Sequence, residues 1–170
     1  IEEPMKRRRF VQHATALAAG PITRLMANRA PLHANGDRLN GWLKTMDAIG
    51  RTPGGISRVA YSDADLAGRA FTLDLFRQAG LAPRIDTIGN IVGPLEGTES
   101  SPPPIVIGSH ADSVSSVGNF DGAVGSFGAI EVARSLQEQG ARLRHPLEVV
   151  VWQNEEGGIV GSMLAIGAFP

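Results

Sequence analysis

Cysteine is absent from this 170-residue chain, and its absence excludes several kinds of site. No disulfide can form, no thiolate can bind a metal, and no cysteine can serve as a nucleophile. Cysteine usage therefore says nothing about the compartment. The formal net charge of −1 gives no indication of nucleic-acid binding. Apolar residues make up 42% of the sequence, which is enough for one domain with a real core.

The first 35 residues differ in charge from the rest of the chain. They carry six Lys or Arg and two Asp or Glu, whereas the remainder carries ten and fifteen, which gives net charges of +4 and −5. Arg7-Arg8-Arg9-Phe10-Val11 is similar to a twin-arginine export signal. The uncharged stretch 10–23 after it is too short and too weakly apolar to span a bilayer stably. We predict that residues 1–35 form a basic export segment and that the protein is periplasmic; the alternatives are a disordered tail and a cytoplasmic protein.

Residues 36–170 carry the periodic patterns of a folded domain. Apolar residues recur at helical spacing between Leu39 and Ile49, which predicts a short amphipathic helix that ends near Gly50. The stretch "RTPGGISR" after it is predicted to be a loop because of its glycines and proline.

A second helix is predicted over 63–79. Ser62 lies three residues before Asp65, which resembles a capping box at the start of a helix. Gly80 suits the left-handed conformation that ends many helices. The side chains predicted to be buried are Leu66, Leu73 and Phe76.

The second half of the chain alternates strands with a helix. "IDTIGNIVGPL" reads as a strand interrupted near Gly89, and the run 105–108 predicts a strand buried on both faces. Residues 122–139 have a helical pattern, and 147–153 are rich in β-branched residues. Strand, helix and strand form a βαβ unit of an α/β fold, which implies parallel strands and a right-handed crossover. The helix is predicted to bury Val124, Phe127, Ile130 and Ala133.

A histidine and two aspartates follow the strand 105–108. In open α/β sheets, ligands bind beyond the carboxyl ends of the strands. His110 provides a nitrogen ligand for a divalent metal such as zinc, manganese, cobalt or nickel, and Asp112 can accept a hydrogen bond from its other ring nitrogen. Asp121 lies just ahead of the helix and can bridge two metals.

An adjacent carboxylate pair, Glu155-Glu156, follows the next strand. One glutamate can bind a metal while the other takes a proton from the attacking water. Each motif alone also has an ordinary interpretation, because His-x-Asp occurs by chance, Asp-Gly is a common turn and paired glutamates are often solvated. Together they favour a metal site, because a βαβ unit brings both strand ends to one edge.

Two stretches, "GSHADSVSSVGNFDGAVGSFGAIEV" and "RHPLEVVVWQNEEG", resemble the two-metal amidohydrolases that act on N-carbamoyl amino acids, allantoate and β-ureidopropionate, within the aminopeptidase/deacylase superfamily. "NGDRLNGWLKTMDAIGRTPGGISRVAYSDAD", "AGL" and "GNIVG" are similar to the same family. The resemblance covers residues 35 to about 165. It implies a three-layer αβα fold with a mostly parallel central sheet, and 36–170 as the N-terminal portion of the catalytic domain.

The resemblance also implies a role for each site residue. His110 is a ligand of one of two divalent metals, Asp121 bridges both, and Glu156 is a ligand of the second. Glu155 is the general base, and Asp112 orients His110. A cis peptide after Asp121 is a further expectation carried over from the family.

The chain departs from the family in three respects. Val117 stands where a glycine is usual, and Gly157-Gly158-Ile159-Val160 replaces the usual Gly-x-Arg-Phe, which affects the expected substrate specificity rather than the metals. Members run to roughly 400 residues and supply two further histidine ligands and a second, dimerising domain. His13, His33 and His145 do not suit that role, so we expect the chain to be the inactive opening part of a longer, homodimeric enzyme.

The expected activity is therefore metal-dependent hydrolysis of the C–N bond of an N-carbamoyl or ureido acid, a small-molecule substrate. A metallopeptidase or N-acyl amino acid deacylase of the same superfamily is the nearest alternative. A metal-binding or interaction module without catalysis is the alternative of another class. We expect no nucleic-acid partner and no stable membrane span.

Overall fold

The computed structural model describes residues 31–168. The description below concerns the compact unit that begins at His33. The arginines and the uncharged stretch of the expected export signal lie outside the described residues. Within them, no helix is long and apolar enough to cross a membrane.

Between residues 33 and 168 the chain forms four helices and six strands. The helices are α1 (Gly36–Asp47), α2 (Asp63–Gln78), α3 (Ala123–Glu138) and α4 (Val160–Ala165). The strands are β1 (Arg51–Thr52), β2 (Gly55–Ile56), β3 (Arg84–Ile85), β4 (Ile91–Leu95), β5 (Ile105–His110) and β6 (Leu147–Trp152). This mixture of a sheet and helices confirms the α/β class.

The central sheet has the strand order β3-β4-β6-β5. β5 and β6 are parallel, with Ile105 opposite Leu147 and His110 opposite Trp152, as the βαβ unit predicts. β4 runs antiparallel to β6, and β3 antiparallel to β4. The expectation of a mostly parallel sheet is therefore wrong for these four strands, because β3 and β4 form a tight hairpin that has no helical crossover.

β5 lies at the edge of this four-stranded sheet. Ile105 and Val106 are 45% and 49% exposed, so the expected burial of this strand on both faces is not found among the described residues. The register with β6 nevertheless extends through His110, which is two residues beyond the predicted end of the strand. Because the strand continues through His110, this candidate site residue is itself part of the paired strand.

The hydrophobic core lies between the sheet and helices α1, α2 and α3. The fully buried members include Met46 of α1, Phe76 of α2 and Phe127 of α3, packed with Ile91 and Val149 of the strands. Residues spaced three or four apart bring one face of each helix into this core. The core fixes α3 against β5 and β6, so the amino end of α3 is held beside the carboxyl ends of those strands.

Several local predictions are confirmed and others are wrong. Ser62 accepts a hydrogen bond from the Asp65 amide and caps α2, as predicted. Leu66, which was predicted to be buried, is 58% exposed. Leu75, which was not predicted, is buried in the core instead. Val124 is likewise 43% exposed. Phe76, Phe127, Ile130 and Ala133 are fully buried, as predicted, and Leu73 is partly buried. The two errors are therefore confined to the first turn of each helix.

The turns before and within the sheet are held by specific contacts. "RTPGGISR" contains the two-residue hairpin of β1 and β2 rather than a plain loop. Between β3 and β4, the carboxylate of Asp86 accepts hydrogen bonds of 2.9 Å from the amides of Ile88, Gly89 and Asn90. This contact turns the chain at the predicted interruption near Gly89.

Candidate active site at the ends of β5 and β6

The parallel pairing of β5 and β6 sets the location of the site. Because His110 lies opposite Trp152, the residues that follow each strand emerge at the same edge of the sheet. The loop after β5 leads to Asp112 and Asp121, and the turn after β6 leads to Glu155 and Glu156. All five predicted site residues therefore belong to this edge.

His110 is held in a defined orientation. Its ring is largely buried, and Nδ1 lies 3.1 Å from the backbone carbonyl oxygen of Asp112. Its own carbonyl accepts a 2.7 Å hydrogen bond from the hydroxyl of Ser126 on α3. Because the carbonyl oxygen of Asp112 can only accept a hydrogen bond, Nδ1 must carry the proton in the neutral ring. Nε2 is then the nitrogen with a free lone pair.

The backbone of Asp112, more than its carboxylate, orients the imidazole. Its Oδ1 lies 3.6 Å from His110 Nδ1, beyond good hydrogen-bond range. The carboxylate instead accepts hydrogen bonds from the amides of Glu155 and Glu156, at 3.3 and 3.2 Å. Asp112 therefore ties the end of β5 to the turn after β6, a function that spacing did not predict.

Burial and neighbouring groups shift the pKa values of His110 and Asp112 in opposite directions. Burial lowers the pKa of His110, but the nearby carboxylate of Asp112, the charge of Glu155 and the backbone carbonyl of Asp112 outweigh it, and the pKa lies above its ordinary value of 6.5. Burial raises the pKa of Asp112, but His110 and the amides of Glu156 and Glu155 hold it below its ordinary value of 3.8. Asp112 is thus ionised at neutral pH, which strengthens both hydrogen bonds from the turn.

Two carboxylates lie close to Nε2 of His110. Asp121 Oδ1 is 3.8 Å away and Glu155 Oε2 is 3.5 Å away. The side chain of Asp121 is 78% exposed and that of Glu155 is 34% exposed, so solvent reaches both. In the described part of the chain, the ion pairs of His110 do not include Glu156. Glu156 contacts the site through its backbone amide, which donates to the carboxylate of Asp112. The structure therefore brings together His110, Asp121 and Glu155.

The glycine that follows Asp121 allows the His110 ring to pack against the start of α3. Gly122 precedes α3 with a φ of +64°, and a Cβ there would meet the His110 ring at 2.4–2.6 Å. The ring packs directly on the backbone where α3 begins. Every peptide bond in the described part of the chain is trans, so the expected cis bond after Asp121 is wrong.

The donor atoms fit a divalent transition metal in their chemistry. An imidazole nitrogen and carboxylate oxygens are ligands that zinc, manganese, cobalt and nickel accept. Two atoms that each lie about 2.1 Å from one ion are about 3.0–3.5 Å apart. Nε2 of His110 and Oδ1 of Asp121, the two expected ligands that the structure brings together, are 3.8 Å apart. Across 31–168, however, no group of three or more His, Asp or Glu side chains forms a cluster that could hold a metal ion.

A buried amide that sequence analysis did not single out fixes the end of β6. Asn90 is fully buried; its Oδ1 accepts from the Gln153 amide at 2.9 Å, and its Nδ2 donates to Asp86 and to the Gly161 carbonyl. These contacts hold the chain just ahead of Glu155. The only sequence signal was a polar residue at the start of a buried strand, in "GNIVG".

Comparison with known proteins places this site in a family context. The profile described as Peptidase family M28 matches residues 90–166, the stretch that carries all five site residues. N-carbamoyl-L-amino acid amidohydrolase of Geobacillus stearothermophilus is 34% identical over 141 residues, which cover 79% of this chain and 34% of that protein. Ureidoglycolate hydrolase of Oryza sativa subsp. japonica is 34% identical over 128 residues, 75% of this chain and 26% of that protein.

Solved structures agree with these relatives. The crystal structure of a hydantoinase/carbamoylase family amidase from Burkholderia ambifaria superposes with a TM-score of 0.78 and 37% identity. The match covers 83% of this chain and 36% of that one. The chain thus spans between a quarter and roughly a third of the length of the curated relatives it matches.

Proposed function

Because the chain belongs to the family of amidohydrolases that includes N-carbamoyl-L-amino acid amidohydrolases and ureidoglycolate hydrolases, we propose that it carries part of the catalytic site of such an enzyme. The reaction is hydrolysis of the C–N bond of an N-carbamoyl or ureido acid. The observation that supports it most directly is the approach of Asp121 and Glu155 to Nε2 of His110. These residues lie within the stretch matched by the family profile.

The proposed site uses two divalent metal ions, either zinc or manganese, cobalt or nickel. His110 would hold one ion through Nε2, Asp121 would supply carboxylate oxygens to both, and Glu156 would hold the second. When bound, such ions acidify water and polarise a carbonyl group. The support from the chain is the fixed tautomer of His110, which turns an unprotonated nitrogen toward Asp121 and Glu155.

Glu155 is the proposed proton carrier. It accepts a proton from the attacking water, whose oxygen bonds to the ureido carbon. The bond from that carbon to the substituted nitrogen then breaks, and Glu155 returns the proton to the leaving amine. The carbamate that remains breaks down to carbon dioxide and ammonia. Asp112 supports this step by accepting a hydrogen bond from the amide of Glu155, which fixes the backbone that bears the Glu155 side chain.

A peptidase or N-acyl deacylase activity is the second candidate, and the match to Peptidase family M28 favours keeping it. Both reactions need the same proton carrier, and they differ in the group attached to the scissile carbonyl. We further propose that the full-length protein is a homodimer and that residues 1–35 direct its export.

A substrate panel tests the proposal on the polypeptide as its gene encodes it. The panel contains N-carbamoyl amino acids, allantoate, ureidoglycolate, N-acetyl amino acids and dipeptides, each assayed with chelator and after metal is restored. Release of ammonia from carbamoyl or ureido substrates, lost with chelator, is the expected result. Cleavage of only the acetyl or peptide substrates would favour the second candidate, and no metal-dependent turnover of any of them would overturn both.

A further inference from the structure

Arg58 is the largest side chain that the described structure buries completely, at 1% exposure. It follows the short strand β2, and its guanidinium faces backbone oxygens rather than a carboxylate. Nε donates to the carbonyl of Ala111 at 3.1 Å, and Nη1 donates to the carbonyls of Met46 and Ile49 at 3.3 and 3.0 Å. A buried cation whose N–H groups donate to backbone oxygens fixes the path of the chain around it.

The guanidinium also reaches the far end of the loop 111–119, which lies between His110 and Asp121 and is called the site loop below. Nη1 and Nη2 both lie 3.4 Å from Oδ1 of Asn119, whose Nδ2 donates to the carbonyl of Leu43 at 2.9 Å. Ala111 directly follows His110, and Asn119 lies two residues before Asp121. One side chain therefore contacts both ends of the loop that separates these two site residues.

The backbone of Arg58 adds a second connection to the same loop. Its amide donates to the hydroxyl of Ser113 at 2.9 Å, and its carbonyl accepts from the amide of Ser113 at 2.9 Å. Burial lowers the pKa of Arg58 and the charges of Asp65 and Asp112 raise it, with a net decrease. An arginine remains protonated despite such a shift, so the loop is held around a buried positive charge.

The surrounding helices leave room for this side chain. Gly68 of α2 faces it, and a Cβ there would lie 3.3 Å from Cδ of Arg58 and 2.9 Å from Cε of Met46. The carbonyls of Met46 and Ile49 belong to the carboxyl end of α1, where the helix dipole favours a cation. The position is thus shaped for a long, planar, charged group.

We propose that Arg58 is a positioning residue that sets the distance between His110 and Asp121 by clamping the loop 111–119 to the end of α1. Its effect on turnover rests on the proposed function, whereas its effect on the loop does not. Lysine cannot replace it, because an ammonium has three donors around one nitrogen and cannot reach Ala111, Ile49 and Asn119 together.

The test compares Arg58→Lys with Arg38→Lys in the polypeptide as its gene encodes it. Arg38 also anchors α1, through 2.7 and 2.8 Å contacts to the buried Glu131, and its side-chain hydrogen bonds go to Glu131 and Glu138 rather than to residues 111–121. Both variants should lower the melting temperature. Only Arg58→Lys should lower kcat, by about 10²-fold with KM near the parent value, because displaced catalytic groups slow the reaction more than they weaken binding.

Amide hydrogen exchange provides a measurement that does not depend on activity. Residues 111–121 should exchange faster in Arg58→Lys than in Arg38→Lys, under conditions in which both variants are folded. If the parent hydrolyses none of the panel substrates, the proposed function fails while exchange still decides the role of Arg58. Equal loop exchange in the two variants, or a kcat for Arg58→Lys equal to that of Arg38→Lys, would overturn the proposal.

Asn119→Ala covers the case in which Arg58→Lys does not fold. It removes the contact nearest Asp121 and leaves the three backbone contacts of the guanidinium in place. The expected result is a smaller decrease in kcat in the same direction, with faster exchange confined to the Asp121 end of the loop. Parent-like exchange and kcat in Asn119→Ala would contradict the clamp.

Discussion

Nε2 of His110 lies 3.5 Å from Oε2 of Glu155, whereas the neighbouring Glu156 meets the site through its amide on Asp112. Two adjacent and chemically identical side chains therefore differ in their relation to the same imidazole. The proposed roles differ as well, since Glu155 carries a proton and Glu156 binds a metal ion. Substitution of each by glutamine separates the two roles.

Glu155→Gln keeps the size of the side chain but cannot accept the proton. We expect kcat to fall by at least ~10²-fold, the usual contribution of a general base, while metal content stays near that of the parent. Glu156→Gln should lose part of the bound metal, and added metal should restore part of its activity. Metal analysis and steady-state kinetics on both variants measure these effects.

Glu148→Gln is the matched control for these substitutions. Glu148 lies at the opposite end of β6, the strand that Glu155 and Glu156 follow, and it pairs with Arg84, so its loss should leave both kcat and metal content unchanged. If Glu155→Gln loses metal and Glu156→Gln keeps it, the assigned roles are reversed. If both site variants match the control, the catalytic interpretation is wrong.

Gly122→Ala should disrupt the site through sterics alone. The new Cβ would overlap the His110 ring at 2.4–2.6 Å, and the backbone of Gly122, with φ +64° and ψ −48°, is strained for any residue that has a Cβ. We expect a lower melting temperature and a decrease in kcat of about 10²-fold as the imidazole is displaced. Calorimetry and kinetics provide the two readouts.

Gly128→Ala on the same helix is its control. No atom lies within 4 Å of a Cβ placed there, and alanine stabilises a helix interior by about 0.5–1 kcal/mol relative to glycine. This variant should be as active as the parent and at least as stable. Equal behaviour of the two alanine variants would show that the ring does not depend on Gly122.

Glu131 should make folding stability depend on pH. Its buried carboxylate accepts from Arg38, from the Asn35 amide and from the Ser135 hydroxyl. Burial raises the pKa of Glu131, but these partners hold it below the ordinary value of 4.5. A lowered folded pKa means that the stabilisation is fully present above pH 4.5 and is lost as the pH falls through the folded value.

Glu131→Gln should therefore cost about 2 kcal/mol or more near neutral pH, because it leaves Arg38 without its buried partner. The difference from the parent should shrink as the pH falls below 4.5. Urea unfolding of both proteins across that range measures it. Glu138→Gln, whose carboxylate on Arg38 is exposed, should have a much smaller effect. A pH-independent difference would contradict the ionised pair.

The export signal can be tested apart from the fold. Replacing Arg7 and Arg8 by lysine should keep the protein in the cytoplasm, because twin-arginine signals are read through the arginine pair. Arg24→Lys with Arg29→Lys makes the same conservative change outside the pair and should leave export intact. Cell fractionation measures both, and unchanged periplasmic accumulation of the first variant would count against the signal.

Local pattern was sufficient for much of the fold. Helical spacing and the Ser62 cap located α2, and short β-branched runs located β5 and β6. The arrival of a histidine and carboxylates at one edge followed from one topological rule about parallel strands, but the rule did not indicate that Glu155 rather than Glu156 would lie beside His110. Leu66 and Val124 both lie in the first turn of a helix, and only the packing partners decide whether a side chain there is covered.

The sequence by itself determined most of the elements, the βαβ unit and the edge at which its polar residues gather, because these depend on neighbours along the chain and on a general rule of sheet topology. Only the tertiary structure decided how those residues are held. Arg58 reaches Ala111 and Asn119 across more than fifty positions, and the Asp112 carboxylate binds amides more than forty positions away. Such contacts leave no periodic trace, because a hydrogen bond to a backbone group does not constrain the residue type of its partner.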